Sequence, residues 1–228
     1  MNPTKYSTAL IIGAGSGISA AAARAFRSAG MTVALAARNA AKLGPLAKEV
    51  GGRAFAADAS DPAEVEALFA NVDAAIGVPD VVLFNAGARA PGPLADLDPE
   101  AVRRALEVGA FGGFLAVQQA ARRMVPLGRG AILLTGASAS VKGFPLSAAF
   151  GMAKFALRGL AQSAARELGP KGIHVSHFIV DGGVRPHGDT DDTRLAPESI
   201  ASTFLHVLSQ SPDAWSHEID LRPAVERF

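Results

Sequence analysis

The sequence contains no cysteine, and among its 228 residues tyrosine and tryptophan occur once each. The absence of cysteine excludes disulfides, cysteine-ligated zinc, iron–sulfur clusters and a thiolate nucleophile. It also agrees with a reducing compartment, so we expect a cytoplasmic protein. Any chemistry that the chain performs must therefore use other side chains.

Net charge and long apolar runs are lacking as well. Lysine and arginine number 22 against 21 aspartates and glutamates, which gives a formal net charge of +1. Such a chain lacks the positive field of a nucleic-acid binder, and we expect no nucleic-acid partner. No apolar run approaches the roughly 20 residues that cross a bilayer, so we expect neither a membrane span nor a signal peptide. The length predicts one soluble domain over residues 1–228.

What the sequence does contain is a repeated alternation of short apolar runs and longer alanine-rich segments. The short runs are typical of strands buried on both faces, and the longer segments have helical spacing. This alternation predicts an α/β fold: a Rossmann-type doubly wound parallel sheet in a three-layer α/β/α sandwich. The predicted strands are Ala9–Ile12, Thr32–Ala36, Arg53–Ala57, Val81–Phe84, Ala131–Leu134 and His174–Val180. The predicted helices are Ile18–Ala29, Ala40–Val50, Pro62–Ile76, Pro99–Val125 and Leu146–Leu168.

Residues 182–197 differ from the rest because they contain little apolar content. They follow the sixth predicted strand, in the region where open α/β sheets bind ligands, and are predicted to form a mobile ligand-side loop. Their aspartates lack convergent ligand spacing, so we expect no metal site. The charged residues and histidine of this loop are Arg185, His187, Asp189, Asp191, Asp192 and Arg194.

A glycine-rich segment follows the first predicted strand and begins the first predicted helix. Glycine allows the backbone there to turn tightly and to approach a pyrophosphate, while the helix N-terminus offers N–H donors and positive potential. A tight strand–helix turn also needs glycine for structural reasons alone, but the position after the first strand favours dinucleotide binding. The candidate phosphate-binding residues are Gly13, Gly15, Ser16, Gly17 and Ile18.

The end of the second predicted strand bears on the choice between NAD and NADP. An acidic residue there would hydrogen-bond the adenosine ribose and favour NAD, whereas the sequence has Ala37 followed by Arg38. An arginine can face a 2′-phosphate, which predicts a preference for NADP(H), although a solvated arginine gives the same pattern. Asp58, after the third predicted strand, is a candidate partner for the adenine amine, with helix capping by Asp58 or Asp61 as the alternative.

Four segments, in this order and spacing, resemble the short-chain dehydrogenase/reductase family over essentially the whole chain. They are the turn at 13–18, the segment 85–87 after the fourth strand, the strand and loop at 130–144, and the helix at 150–160. The resemblance implies an NAD(P)-binding oxidoreductase. The resemblance also implies that Asn85, Ala86, Gly87 and Lys154 bind the cofactor.

The active site implied by this resemblance departs from the family pattern. In the family, chemistry rests on a Tyr-x-x-x-Lys pair, a serine in the preceding loop and an asparagine on the helix before it. Lys154 fills the lysine position, but the Tyr position falls on Phe150, the Ser position on Ala137 and the Asn position on Gly109. A milder change is Ser19, where the family's turn usually has its last glycine.

The missing phenol matters because hydride transfer to a carbonyl builds negative charge on oxygen, which must be stabilised and protonated. Loss of a positioned general acid costs about 10²–10⁴-fold in rate. The only tyrosine, Tyr6, precedes the first strand and is out of reach. The groups that could compensate are Ser138 after a shift of its loop, Lys154 with a pKa depressed by burial, and His187 or Asp189 from the 182–197 loop.

Two functions remain open at this point. One is an NADP(H)-dependent oxidoreductase with an atypical active site, acting on a small or hydrophobic carbonyl or alcohol, or on an activated double bond. The other is a non-catalytic dinucleotide-binding protein that serves as a sensor or partner subunit. In the family two long helices, here near 99–125 and 146–169, often form an interface, so the resemblance implies a homodimer or homotetramer.

Overall fold

The computed structural model describes residues 6–226. Within them the strands are β1 (Thr8–Ile12), β2 (Thr32–Ala37), β3 (Arg53–Ala56), β4 (Val81–Phe84), β5 (Gly130–Thr135), β6 (Ile173–Val180) and β7 (Glu218–Leu221). They form one sheet in the order β3-β2-β1-β4-β5-β6-β7, and every neighbouring pair is parallel. The predicted α/β doubly wound sheet of Rossmann type is thereby confirmed.

Helices cover both faces of this sheet. They are α1 (Ile18–Ser28), α2 (Gly44–Glu49), α3 (Pro62–Ile76), α4 (Pro99–Leu106), α5 (Gly112–Met124), α6 (Ala148–Leu168) and α7 (Pro197–Leu208). Leu10 of β1 packs into one core with α3, α5 and α6, while the adjacent Ile11 packs into the other core with α1 and α7. Successive strand residues face opposite layers, as the side-chain alternation of a strand requires. None of the helices within residues 6–226 combines the length and apolar character needed to span a bilayer.

Some predicted elements differ from the structure. The predicted helix Pro99–Val125 consists of α4 and α5 joined by a π-helical turn at Glu107–Phe111. α6 begins at Ala148 rather than Leu146, because Leu146 has a φ of +60°, which lies outside the right-handed helical region. α7 and β7 were not predicted, and β7 is short and only partly buried.

The sheet has its switch point at β1, which pairs with β2 on one side and β4 on the other. Loops that follow β1 and β4 therefore lead to opposite faces and leave a crevice at the carboxyl ends of the strands. The turn at 13–18, Arg38 after β2 and Asn85 after β4 all come to this edge. The fold thus gathers most of the candidate cofactor residues in one place.

Candidate functional site

Close backbone contacts fix the turn after β1. The N–H groups of Gly13 and Ala14 both donate to the carbonyl oxygen of Ala36, at 3.0 and 2.9 Å. Gly13 has a φ of +81°, and a Cβ on it would lie 2.4 Å from the backbone nitrogen of Ala86. Only glycine fits here, because the dihedral and the lack of space both exclude a side chain. The turn is therefore held between β2 and the loop after β4.

The next glycines leave open space above the turn. A Cβ built on Gly15 or Gly17 would meet no heavy atom within 4 Å. α1 begins at Ile18, and no side chain from residues 6–226 caps its first turn. Its first N–H groups and the positive end of the helix dipole are thus available to an anion such as a diphosphate. Ser16 lines the same space.

Ser19 and Asn85 connect the turn to the loop after β4. The buried Ser19 hydroxyl donates to the carbonyl oxygen of Gly13 at 3.0 Å and accepts from Nδ2 of Asn85 at 2.8 Å. Serine in place of a glycine therefore adds a hydrogen-bonded link instead of disturbing the packing. Ala86 and Gly87 follow Asn85 along the floor of the cleft.

Beyond the turn, at the end of β2, lies a cavity of about 750 Å³. Arg38 and Lys42 line it, and both side chains are exposed, so their charges are available to an anion. Arg24 also lies on the wall, but its guanidinium is bound by Glu49 at 2.5 Å. Lys42 lies four residues after Arg38 and was not predicted as a binding residue, although a basic residue in the first turn after β2 could have indicated this role.

Asp58 lies in the neighbouring cavity, and Asp61 caps α3. The Asp61 carboxylate accepts from the N–H groups of Ala63 and Glu64, which excludes Asp58 as the cap. The Asp58 carboxylate instead accepts from the N–H and the hydroxyl of Ser60, at 2.9 and 2.6 Å. These bonds hold the pKa of Asp58 below its usual value, so it is an ionised acceptor at the cavity wall.

Lys154 is buried at the carboxyl end of β5. Its Nζ donates to the carbonyl oxygen of Thr135 at 2.7 Å. Burial, aided by the positive charge of Arg89, lowers the pKa of Lys154 from 10.5 to about 8. The ammonium is therefore protonated at neutral pH and gives up its proton at slightly higher pH.

Phe150 lies one helical turn before Lys154 on α6. Its ring centroid is 5.6 Å from Nζ of Lys154 and 4.3 Å from Cζ of Arg89, which comes from the loop after β4. Two cations thus contact the ring at the position where the family has its phenol. Tyr6 does not replace the phenol, because its hydroxyl donates to the carbonyl oxygen of Gly130 at the amino end of β5.

The loop after β5 contains Ala137, the position implied for the family's serine, and Ser138, the candidate that could replace it. The N–H of Ala137 donates to the hydroxyl of the buried Ser140 at 3.1 Å. Ser138 begins the short 3₁₀ turn Ser138–Ser140 and is partly exposed. Compensation by the Ser138 hydroxyl therefore stays a prediction.

Gly109, the position implied for the family's asparagine, lies in the π-helical turn between α4 and α5. A Cβ built there would lie 3.0 Å from the Cβ of Ala153 on α6. A side chain at this position requires a local shift of α6, so the glycine is favoured by helix packing. π-helical turns within α-helices often occur at functional positions.

His177 of β6 lies beneath the loop after β5. Its Nδ1 is 3.1 Å from the Glu218 carboxylate, which also accepts two hydrogen bonds of 2.7 Å from Arg158. A Cβ on Gly136 would lie 2.2 Å from Nε2 of His177, so the ring fills the space under that glycine. Burial lowers the pKa of His177 to about 4, and the neutral ring donates Nδ1–H to an ionised Glu218.

The segment after β6 lies over the phosphate-binding turn. Val184 and Leu195 form an isolated parallel bridge, and the segment ends at residue 196 because α7 begins at Pro197. His187 lines the cavities at the turn and at Arg38, and its Nδ1 is 2.5 Å from Glu198. The segment therefore forms the outer wall of the cleft.

The acidic residues of this segment serve its internal turns. Asp189 accepts from the N–H of Asp191, and Asp191 accepts from the N–H and hydroxyl of Thr193. Across residues 6–226, no three histidine, aspartate or glutamate side chains are arranged to hold a metal ion. Asp189 thus has a local structural partner, whereas His187 lies at the cleft.

A sequence model of the short chain dehydrogenase family matches residues 7–189, a range that includes the glycine turn, Asn85, Phe150 and Lys154. The chain belongs to the short-chain dehydrogenase/reductase family. This confirms the resemblance seen in the sequence.

Individual proteins similar to this chain agree with this membership. L-2,3-butanediol dehydrogenase of Corynebacterium glutamicum is 32% identical over 151 residues, which are 64% of this chain and 58% of that protein. A short-chain dehydrogenase/reductase of Armillaria gallica is 38% identical over 207 residues, 87% of this chain and 79% of that protein. A metagenomic short-chain oxidoreductase solved in complex with NADP has 30% identity and a TM-score of 0.84, covering 96% of this chain and 98% of that chain.

We predict that Gly13→Ala destabilises the protein, because its Cβ would meet the backbone of Ala86 at an unfavourable φ. The free energy of unfolding in urea should fall by at least about 1–2 kcal/mol. The matched control is Gly15→Ala, whose Cβ enters open space and should leave stability within about 0.5 kcal/mol. Equal stabilities for the two variants would contradict the close contact between Gly13 and the backbone of Ala86.

Proposed function

We propose that the protein is an NADP(H)-dependent oxidoreductase that acts in the cytoplasm on a small or hydrophobic carbonyl or alcohol, or on an activated double bond. The observation that carries this proposal is the cleft along the carboxyl ends of β2, β1 and β4, which adjoins the buried Lys154 at the end of β5. Family membership and the NADP-bound relative support it.

The residues present fit a dinucleotide with a 2′-phosphate. The open space above Gly15 and Gly17 suits a diphosphate, since backbone N–H groups can approach it directly. Arg38 and Lys42 suit the 2′-phosphate, and Asp58 suits the adenine amine. Asn85, whose side-chain amide donates to the Ser19 hydroxyl, lines the middle of the cleft.

Bound NADP(H) would supply or accept the hydride. The protein must supply the proton. Lys154 is the candidate donor because its ammonium is buried, has a pKa of about 8 and contacts the ring of Phe150. At neutral pH it can donate a proton to an oxygen that gains negative charge. Phe150, Ala137 and the exposed Phe144 from the loop after β5 would form an apolar surface beside the reacting group.

A specific observation also favours the non-catalytic alternative. Phe150, Ala137 and Gly109 provide none of the hydroxyl or amide groups that the family uses, while the cofactor residues are kept. A protein that binds NADP(H) as a sensor or partner subunit would have this combination. The two proposals share cofactor binding and differ in turnover.

Cofactor choice is tested by titrating NADPH and NADH and following their fluorescence. Arg38→Gln should weaken NADPH binding about 10–100-fold and leave NADH binding unchanged, because only NADPH carries the 2′-phosphate that Arg38 would bind. The control is Arg53→Gln, an exposed arginine at the other end of the sheet. Absence of saturable NADPH binding at micromolar protein would overturn both proposed functions.

Turnover is tested with NADPH and a panel of aldehydes, ketones and enones. Lys154→Met should lower kcat about 10²–10⁴-fold, and reduction by the unaltered protein should decline as pH rises through about 8, where Lys154 loses its proton. Loss of activity in Lys154→Met also excludes a contaminating reductase, and Lys171→Met, at the amino end of β6, is the matched variant that should keep its activity. Saturable NADPH binding without turnover of any substrate would support the sensor proposal instead.

We also propose that α5 and α6 pair with a second copy in a homodimer or homotetramer. The helices and the adjoining π-helical turn expose four large apolar side chains, Phe111, Phe114, Met152 and Phe155, and exposed apolar clusters often mark protein–protein interfaces. Phe114→Asp with Phe155→Asp should reduce the mass measured by light scattering, whereas Leu94→Asp, an exposed apolar residue elsewhere, should not. An unchanged mass for the double variant would place the interface elsewhere.

A further inference from the structure

Arg89 occupies an unusual position beside Phe150 and Lys154. Its guanidinium lies over the Phe150 ring, with Cζ 4.3 Å from the centroid, and Nζ of Lys154 is 5.6 Å from the same centroid. The ring supports the guanidinium through its π face, and this contact uses none of the five N–H donors of arginine. Arg89 is exposed, so these donors are available to a ligand.

Acidic groups do not balance this pair of cations. Among residues 6–226, Arg89 has no ion pair, and the one charge that acts on Lys154 is that of Arg89. Asp181, the residue that follows β6, is buried and already paired with Lys142 at 3.9 Å and Arg222 at 3.5 Å. Two cations at one apolar ring without a carboxylate form a site for an anion.

We propose that the substrate carries a carboxylate, which Arg89 binds through its planar fork while the reacting carbon lies beside Lys154. The substrate is then an oxo or hydroxy carboxylic acid, a class that rests on the proposed oxidoreductase function and narrows it. Arginine suits a carboxylate because two parallel N–H groups match its two oxygens. Phe150 orients the guanidinium, which gives the residue at the Tyr position a role in substrate binding.

The test uses two probes of the same shape, benzoate and benzamide, titrated calorimetrically into the protein saturated with NADP⁺. Benzoate should bind at least tenfold more tightly than benzamide. Arg89→Gln should weaken benzoate binding about 10–100-fold and leave both benzamide binding and NADPH binding unchanged. Arg89→Lys, which keeps the charge but loses the fork, should lie between the two.

The matched control is Arg122→Gln, an exposed arginine near the end of α5, at the opposite edge of the sheet, which should change nothing. Equal affinities for benzoate and benzamide would overturn the proposal, and so would a loss of NADPH binding in Arg89→Gln, since Arg89 would then belong to the cofactor site. Stronger competition by inorganic phosphate than by benzoate would point to a phosphate ester and overturn the carboxylate class. Failure of NADPH to bind at all would instead count against the proposed function.

Discussion

The approach of the Gly13 backbone to Ala86 is the constraint on which the site depends. β1 and β4 are neighbours at the switch point, so the loops that follow them must pass at van der Waals distance before they separate. A glycine with a φ of +81° permits this, and no residue with a side chain does. A wider turn would carry the start of α1 away from the cleft and break the link from Ser19 to Asn85.

Lys154 shows how the same sheet edge supplies chemical reactivity. A lone ammonium is costly to bury unless a partner compensates for lost water, and here the compensation is a single neutral carbonyl, that of Thr135. The unfavourable balance appears as a pKa lowered to about 8. The family's Tyr–Lys pair divides proton donation and charge between two groups, whereas in the proposed mechanism Lys154 performs both.

The fold was predictable because β1, β2, β4 and β5 contain continuous apolar runs, and the glycine turn could be placed because it follows the first of them. β7 could not be found in the same way, since Glu218–Leu221 alternates charged and apolar residues over only four positions. Lys154 and Phe150 share a helix face through their spacing, which sequence alone reveals. Arg89 reaches the ring only because the loop after β4 packs against the start of α6 in the tertiary structure, and no local pattern encodes that contact.

Burial is the larger cause of the lowered pKa of Lys154, and the charge of Arg89 is the smaller one. The guanidinium repels the ammonium and so favours loss of the lysine proton in the free protein. An anion bound between them would reverse this effect, because its charge favours the protonated lysine. The proton donor would then be most fully charged when a substrate carboxylate is present, and substrate binding itself would prepare the group that protonates the developing oxygen anion. An aromatic ring that holds a cation at the position of the phenol would thus couple recognition to proton supply.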